Sequence, residues 1–273
     1  MSIAGVEGVV ESLIGPDDPP PVTIINPEGK SSVLLVCDHA SNAIPAALGR
    51  LGLDEAALQR HVAWDIGSRK LIEHLSAHLD APGVLAGYSR LVVDLNRSLE
   101  DDSLMPPISD GIVIAGNQQL SDEHRNRRIR EIFTPYRHAI DDMLHGFRER
   151  GVTPAFIAIH SFTPRMMDGA ARPWQIGVLW DKDPRIPVPL MKNLRGRPEN
   201  LVIGDNEPYS GKHPADYTID HHAEAAGLPH VSIEVRQDLI DTEEGAERWA
   251  SILHEALEDI LADPGLYSVW QSV

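Results

Sequence analysis

The stretch AFIAIHSF, from Ala155 to Phe162, constrains the architecture more than any other part of the chain. It follows a Gly151/Pro154 break, runs apolar for five residues, and then changes abruptly to His160 and Ser161. A short apolar run rich in branched residues and bounded by turn signals reads as a buried strand. Two other stretches share this design. SVLLVCDHAS (Ser32 to Ser41) is apolar until Asp38 and His39, and HVSIEVRQD (His230 to Asp238) is mostly apolar until Glu234, with Arg236 beyond it. In open α/β sheets the ligand crevice lies outside the carboxyl ends of the strands. Three strand ends that offer His, His and Glu are the ingredients of a metal or acid–base site.

The rest of the chain alternates strand and helix signals. Strands are expected at 31–37, 83–88, 155–162, 175–180, 201–203 and 230–238. Helices are expected at 53–60, 65–79, 187–194, 218–226 (stopped by Gly227) and 241–262, the last capped by Asp241 or Thr242. In 65–79, Ile66, Leu71, Ile72, Leu75 and Leu79 are spaced for one apolar face. A long charged helix over 122–150 should break or kink at Pro135. Such alternation predicts an α/β fold, three layers α/β/α with a mostly parallel central sheet. Residues 1–22, ending in Pro19 to Pro21, read as an N-terminal arm, and 23–273 as a single domain.

Composition narrows the function classes. A net charge of −17 argues against a nucleic-acid partner. No apolar run is long enough to span a membrane. The first residues lack a basic start and carry Glu7 and Glu11, unlike a secretory signal. The single cysteine, Cys37, leaves no internal disulfide and no multi-cysteine zinc site. The expectation is a cytoplasmic protein, monomeric or a small homo-oligomer.

Catalytic zinc commonly takes three protein ligands from His and carboxylate and keeps one position for water. His39 and His160 are the two strand-end histidines. The third ligand is open: Asp65 could point back over the sheet edge or could merely cap its helix, and Asn42, three residues after His39, is a neutral and poor zinc ligand. Cys37 shares a strand face with His39 and reads as core, with a role behind the site as the alternative. Glu234, at the end of an apolar strand, suits a general base; the alternative is an ion pair with Arg236 on the same face. Arg90, Asn96, Arg97 and Arg236 offer donors for a substrate carboxylate, unless Asp94 simply pairs with one of the arginines. The loop 206–217, with Tyr209, His213 and Tyr217, is a candidate lid, and His222 on the following helix either reaches the site or faces solvent.

Taken together, CDHASNAIP (Cys37 to Pro45), WDIGS (Trp64 to Ser68), SRLVVDLNRS (Ser89 to Ser98), AIHSF (Ala158 to Phe162) and IEVRQDLI (Ile233 to Ile240) resemble the N-formylglutamate amidohydrolase family. DLNR and IHS are also similar to the zinc carboxypeptidase and aspartoacylase group. The resemblance covers about Ser31 to Ile240. It implies a phosphorylase/hydrolase-like core and a zinc-dependent hydrolase of histidine breakdown, converting N-formyl-L-glutamate and water to formate and L-glutamate. It implies His39 and His160 as metal ligands, Glu234 as acid/base, and Asn96 and Arg97 as carboxylate binders. The carboxypeptidase-type His-x-x-Glu has Asn42 in its fourth position here. The zinc amidases of cell-wall turnover, similar in fold, take a carboxylate from the helix after the first strand, where Asp65 stands. The expected ligand set is therefore His39, Asp65 and His160. A cell-wall or peptide amidase with the same metal site, and a metal-free binding protein on the same fold, are the alternatives.

Overall fold

The apolar runs form the centre of a seven-stranded sheet. The computed structural model describes residues 12–167, 169–212, 214 and 216–270. In chain order the strands are β1 (Val22–Ile25), β2 (Val33–Cys37), β3 (Gly83–Ala86), β4 (Ile108–Ser109), β5 (Ile112–Val113), β6 (Ala155–Phe162), β7 (Ile176–Leu179), β8 (Ile203–Asp205) and β9 (His230–Arg236). The large sheet has the order β1-β3-β2-β6-β9-β7-β8, and β4–β5 form a separate hairpin. β3, β2, β6 and β9 run parallel. β1 is antiparallel to β3, and β7 is antiparallel to β9.

Both faces of the central strands are covered, which is why they read as unbroken apolar runs. The helices are α1 (Glu55–Leu58), α2 (Ser68–Leu79), α3 (Asp122–Arg128), α4 (Thr134–Glu149), α5 (Pro187–Arg195), α6 (Tyr217–Ile219) and α7 (Glu243–Leu261). On one face, Val33, Leu35, Ile157 and Ile233 join Leu71, Leu75, Leu190, Leu253 and Leu257 in one buried cluster. On the other, Leu34, Val36, Phe156 and Ala158 join Tyr136, Ile140, Leu144 and Phe147. The result is the expected three-layer α/β/α arrangement with a mostly parallel sheet. Leu35 and Ile157 are fully buried, and truncating either to Ala should cost about 2–5 kcal/mol.

Three local features depart from expectation. β7 is a strand but runs backwards, because the connection from β6 contains no crossover helix and a strand reached by a simple loop returns antiparallel. Pro135 does not break the 122–149 helix. A five-residue π turn, Ile129–Phe133, precedes α4, with the Thr134 N–H bonded to the Ile129 carbonyl. That wider turn accommodates a residue that lacks an N–H. The described end of the expected arm packs onto the domain: Leu13 is buried in the second cluster, and its N–H donates to Glu131 Oε2 at 2.6 Å. Residues 1–11, which hold the start of that arm, lie outside the described residues.

Candidate metal centre and active site

The carboxyl ends of β2, β6 and β9 meet at one edge of the sheet. His39 lies two residues past β2, His160 on β6, and Glu234 on β9. Parallel pairing makes His160 and Glu234 direct register partners. Asp65 arrives from the turn before α2. The cap of that helix is Gly67, at φ +82°, with no side-chain hydrogen bond, so Asp65 is not the cap. A Cβ at Gly67 would stand 2.2 Å from the Ile240 carbonyl oxygen, so the turn tolerates only glycine there. The Asp65 N–H donates to the His39 carbonyl at 3.0 Å, and the Asp65 carbonyl accepts from the Ser68 hydroxyl at 2.7 Å. These bonds turn the carboxylate inward.

The ring nitrogens of His39 and His160 and a carboxylate oxygen of Asp65 lie within 4.8 Å of one another, and all three residues are buried. Asp65 Oδ2 faces His160 Nδ1 at 2.9 Å and His39 Nδ1 at 3.3 Å. Its other oxygen pairs with Arg90. A single carboxylate oxygen facing two imidazoles is a donor set that fits a divalent metal, and two His with one carboxylate is a common catalytic zinc set. The far nitrogens are backed by carboxylates as well: His39 Nε2 by Asp94 Oδ1 at 2.8 Å, and His160 Nε2 by Asp38 Oδ2 at 3.4 Å. Such partners orient ligating histidines and raise their basicity.

The electrostatics follow from this crowding. Burial opposes charge on His160, but the Asp38 carboxylate 3.4 Å away and the Glu234 charge outweigh that and lift its pKa to about 10. Burial and the Arg90 charge hold His39 below the usual imidazole range, against the pull of Asp94. Burial also opposes ionisation of Asp38 and Asp94, yet the neighbouring imidazoles keep both below the ordinary carboxylate range. Glu234 is 6% exposed, and its Oε2 has no hydrogen-bond partner among the described residues. Burial raises its pKa, against the charges of His160, Arg90 and His39.

Arg236 leaves Glu234 alone. It pairs with Asp238 at 2.7 Å and donates to the Trp174 carbonyl at 3.3 Å. A cavity of about 220 Å³ covers the cluster, and Arg90, Asn96, Arg97, Tyr209 and Asp216 line it with His39, Asp65, His160 and Glu234. Asn96 Oδ1 accepts from the Thr218 N–H at 2.9 Å, which leaves its NH2 for a ligand.

Three expected site residues stand elsewhere. The Asn42 amide donates to the Leu58 carbonyl at 3.0 Å, fastening the loop after β2, and Asn42 does not line the cavity. Arg236 is held away by the partners above. His222 lies against Asp141 at 3.1 Å and stacks on Phe156 beneath the sheet, with burial and Arg137 pushing its pKa down to about 3. Cys37 does not line the cavity; it is buried in the core on one face of the sheet, where its thiol donates to Ser68 Oγ at 3.3 Å and burial lifts its pKa to about 11.

The expected lid is pinned where it is described. Asn206 Oδ1 accepts from the Trp180 and Gly211 N–H groups at 3.1 and 2.8 Å. The Glu207 carbonyl lies where Cβ atoms at Gly177 and Gly204 would stand, 2.2 and 2.4 Å from it. This wedge presents Tyr209 to the cavity, and Arg172 Nη1 donates to its phenol oxygen at 3.1 Å. Tyr217 instead lies under the Arg137 guanidinium, 4.4 Å from it, and His213 lies outside the described residues. Sequence reasoning passed over Asp38 and Asp94 as backing carboxylates and His61 as a wall residue. Asp38 precedes a ligand directly and Asp94 precedes Asn96 by two, which is the only signal the sequence carries for them.

A mostly parallel α/β sheet with a buried His–Asp–His cluster beside a carboxylate, all at strand ends, has the layout of a hydrolase whose site could hold a metal ion. The chain belongs to the N-formylglutamate amidohydrolase family, whose profile matches residues 31–241, and it is a hydrolase by that membership. Enzymes of this family act on a small N-formyl amino acid. Among solved structures, a gene product of Agrobacterium tumefaciens is 34% identical over 89% of this chain and 95% of its own, with a TM-score of 0.85. An N-formylglutamate amidohydrolase from Ralstonia eutropha JMP134 is 19% identical over 88% of this chain and 97% of its own, with a TM-score of 0.62, a likeness of fold. No match is found among curated proteins. Among the described residues no helix is long and apolar enough to cross a membrane.

Proposed function

We propose that the protein is a zinc-dependent amidohydrolase that cleaves the N-formyl bond of an acidic amino acid, N-formyl-L-glutamate to formate and L-glutamate. The observation that carries this reading is the single Asp65 oxygen facing both imidazoles, with Glu234 Oε2, which has no hydrogen-bond partner among the described residues, on the neighbouring strand. His39, Asp65 and His160 would hold the ion. A divalent metal held there would supply Lewis acidity for the acyl oxygen and would lower the pKa of water to about 7. Glu234 takes a proton from the attacking water and returns it to the amine as the C–N bond breaks, so water's oxygen leaves in formate. Tyr209 accepts from Arg172, so its own hydroxyl proton is available to the acyl oxygen. The Asn96 amide and Arg97 bind the substrate carboxylate, and Arg90 fixes Asp65 while adding positive charge to the cavity.

This reading assigns the enzyme to histidine breakdown in the cytoplasm, as a monomer or small homo-oligomer. Metal-loaded protein assayed for formate release should turn over N-formyl-L-glutamate well ahead of N-formyl-leucine, because polar groups facing a missing carboxylate are left unpaired. Equal rates would show that the site does not read the acidic side chain. A protein that purifies without metal and takes none up would be a binding protein instead.

A further inference from the structure

The catalytic cavity adjoins a second, larger one. His61, Arg90 and Tyr209 line both and form the partition between them. The outer chamber has a volume of about 500 Å³, within the range of pockets that bury drug-sized ligands. N-formylglutamate is small enough for the inner 220 Å³, so the activity proposed above leaves the outer space unexplained.

The outer wall is built. Asp110, in the turn between β4 and β5, accepts from Arg60 Nη2 at 3.1 Å and from the Met167 N–H at 3.4 Å. The hairpin is thereby tied to both sides of the chamber. The lining chemistry is mixed: Arg60 and the exposed Arg165, neutral Gln59, Thr163 and Gln237, and apolar Val62, Ile66, Met166 and Met167. Arg60 is satisfied by Asp110. Among the described residues, the Arg165 guanidinium has no acidic partner. An alkyl chain would call for an apolar wall. A wall that mixes amides, a hydroxyl and apolar side chains, with an arginine at its rim, suits a peptide unit with an anionic end.

We propose that the outer chamber binds the carboxyl-side extension of the substrate: an N-formylated acidic residue joined by an amide bond to a further amino acid whose carboxylate reaches Arg165. This rests on the proposed deformylase reading of the inner site. The formyl group stays at the His39–Asp65–His160 cluster, and the chain passes the partition of His61, Arg90 and Tyr209.

The test compares N-formyl-L-glutamate, N-formyl-L-glutamylglycine, the C-terminal amide of that dipeptide, and N-octanoyl-L-glutamate on the metal-loaded protein. The dipeptide should exceed N-formylglutamate in kcat/KM by about tenfold, the order of one charge-assisted hydrogen bond, and amidation should remove that gain. Arg165→Gln should raise KM for the dipeptide by a similar factor and leave N-formylglutamate kinetics within about twofold. A dipeptide no better than N-formylglutamate, an Arg165→Gln effect equal on both, or a preference for the octanoyl compound would overturn the proposal while leaving the deformylase reading in place. If no substrate is turned over, the deformylase reading falls, and calorimetry decides the chamber separately. Binding of L-glutamylglycine about tenfold tighter than L-glutamate, lost in Arg165→Gln, supports the chamber, and equal affinities overturn it.

Discussion

His160 and Glu234 are register partners on adjacent parallel strands, so one pair of neighbouring Cα positions presents both a candidate metal ligand and a candidate base. Parallel pairing aligns the two side chains on one sheet face and at one depth. That relation separates the two roles cleanly, because each can be altered without moving the other's strand.

Glu234→Gln should lose about 10²–10⁴-fold in kcat, the usual worth of general-base catalysis. The amide matches the carboxylate in shape and cannot take a proton at neutral pH. Metal content should stay at the wild-type level, since Glu234 is outside the His39–Asp65–His160 group. A metal-loaded variant with near-normal kcat would place the base elsewhere.

Removing a ligand should act on metal content first. His160→Ala and Asp65→Ala should each purify with little bound zinc by elemental analysis, whereas Asn42→Ala should retain it, because Asn42 only fastens Leu58. Full zinc in Asp65→Ala would overturn the ligand set.

Asp94→Asn tests the backing carboxylate. Asn cannot match the charge of the acceptor beside His39 Nε2, so metal affinity should fall about 10–100-fold. Competition with a chelator measures it, and saturating metal should restore most of the activity. Unchanged affinity would mean that Asp94 serves only to hold the loop.

The pH dependence of stability follows from Glu234. Its pKa is raised by burial above the ordinary value of 4.5, so the folded state binds the proton more tightly than the unfolded state. That contribution is full below the unfolded pKa and lost as pH rises through the folded one. At neutral pH the wild type therefore bears the cost of a buried charge that Glu234→Gln does not. In metal-free protein the variant should melt higher than wild type at pH 7, with the gap closing toward pH 4. A constant gap would contradict the raised pKa.

Much of this site was legible because strand ends announce themselves. An apolar run that stops at His39, His160 or Glu234 marks both the strand and its edge. Asp65 is legible only as one of two readings, helix cap or ligand, and Gly67, which caps the helix at φ +82°, excludes the cap reading, a fact no local pattern carries. Arg236 shows the limit of face counting: it shares a face with Glu234, yet Asp238 lies two residues on and captures it first. The sequence places Tyr209 in a loop that reads as a lid, but its setting depends on Gly177 and Gly204 lying side by side on paired strands, a long-range relation. The reversal of β7 was likewise hidden, since strand direction is set by the connection rather than by the residues in the strand.

The packing of buried acid groups around the cluster bears on abundance as well as chemistry. Asp38, Asp65, Asp94 and Glu234 are all nearly inaccessible to solvent, and Arg90 pairs with Asp65. On the proposed site, the ion supplies the missing positive charge, so it is a ligand of the fold. Free ion at 100 times its dissociation constant would add about 2.7 kcal/mol to stability, and that margin vanishes as the ion is withdrawn. A cell starved of the metal would then lose the polypeptide itself to unfolding and proteolysis, and the amount of this protein would track the metal supply even when transcription is constant.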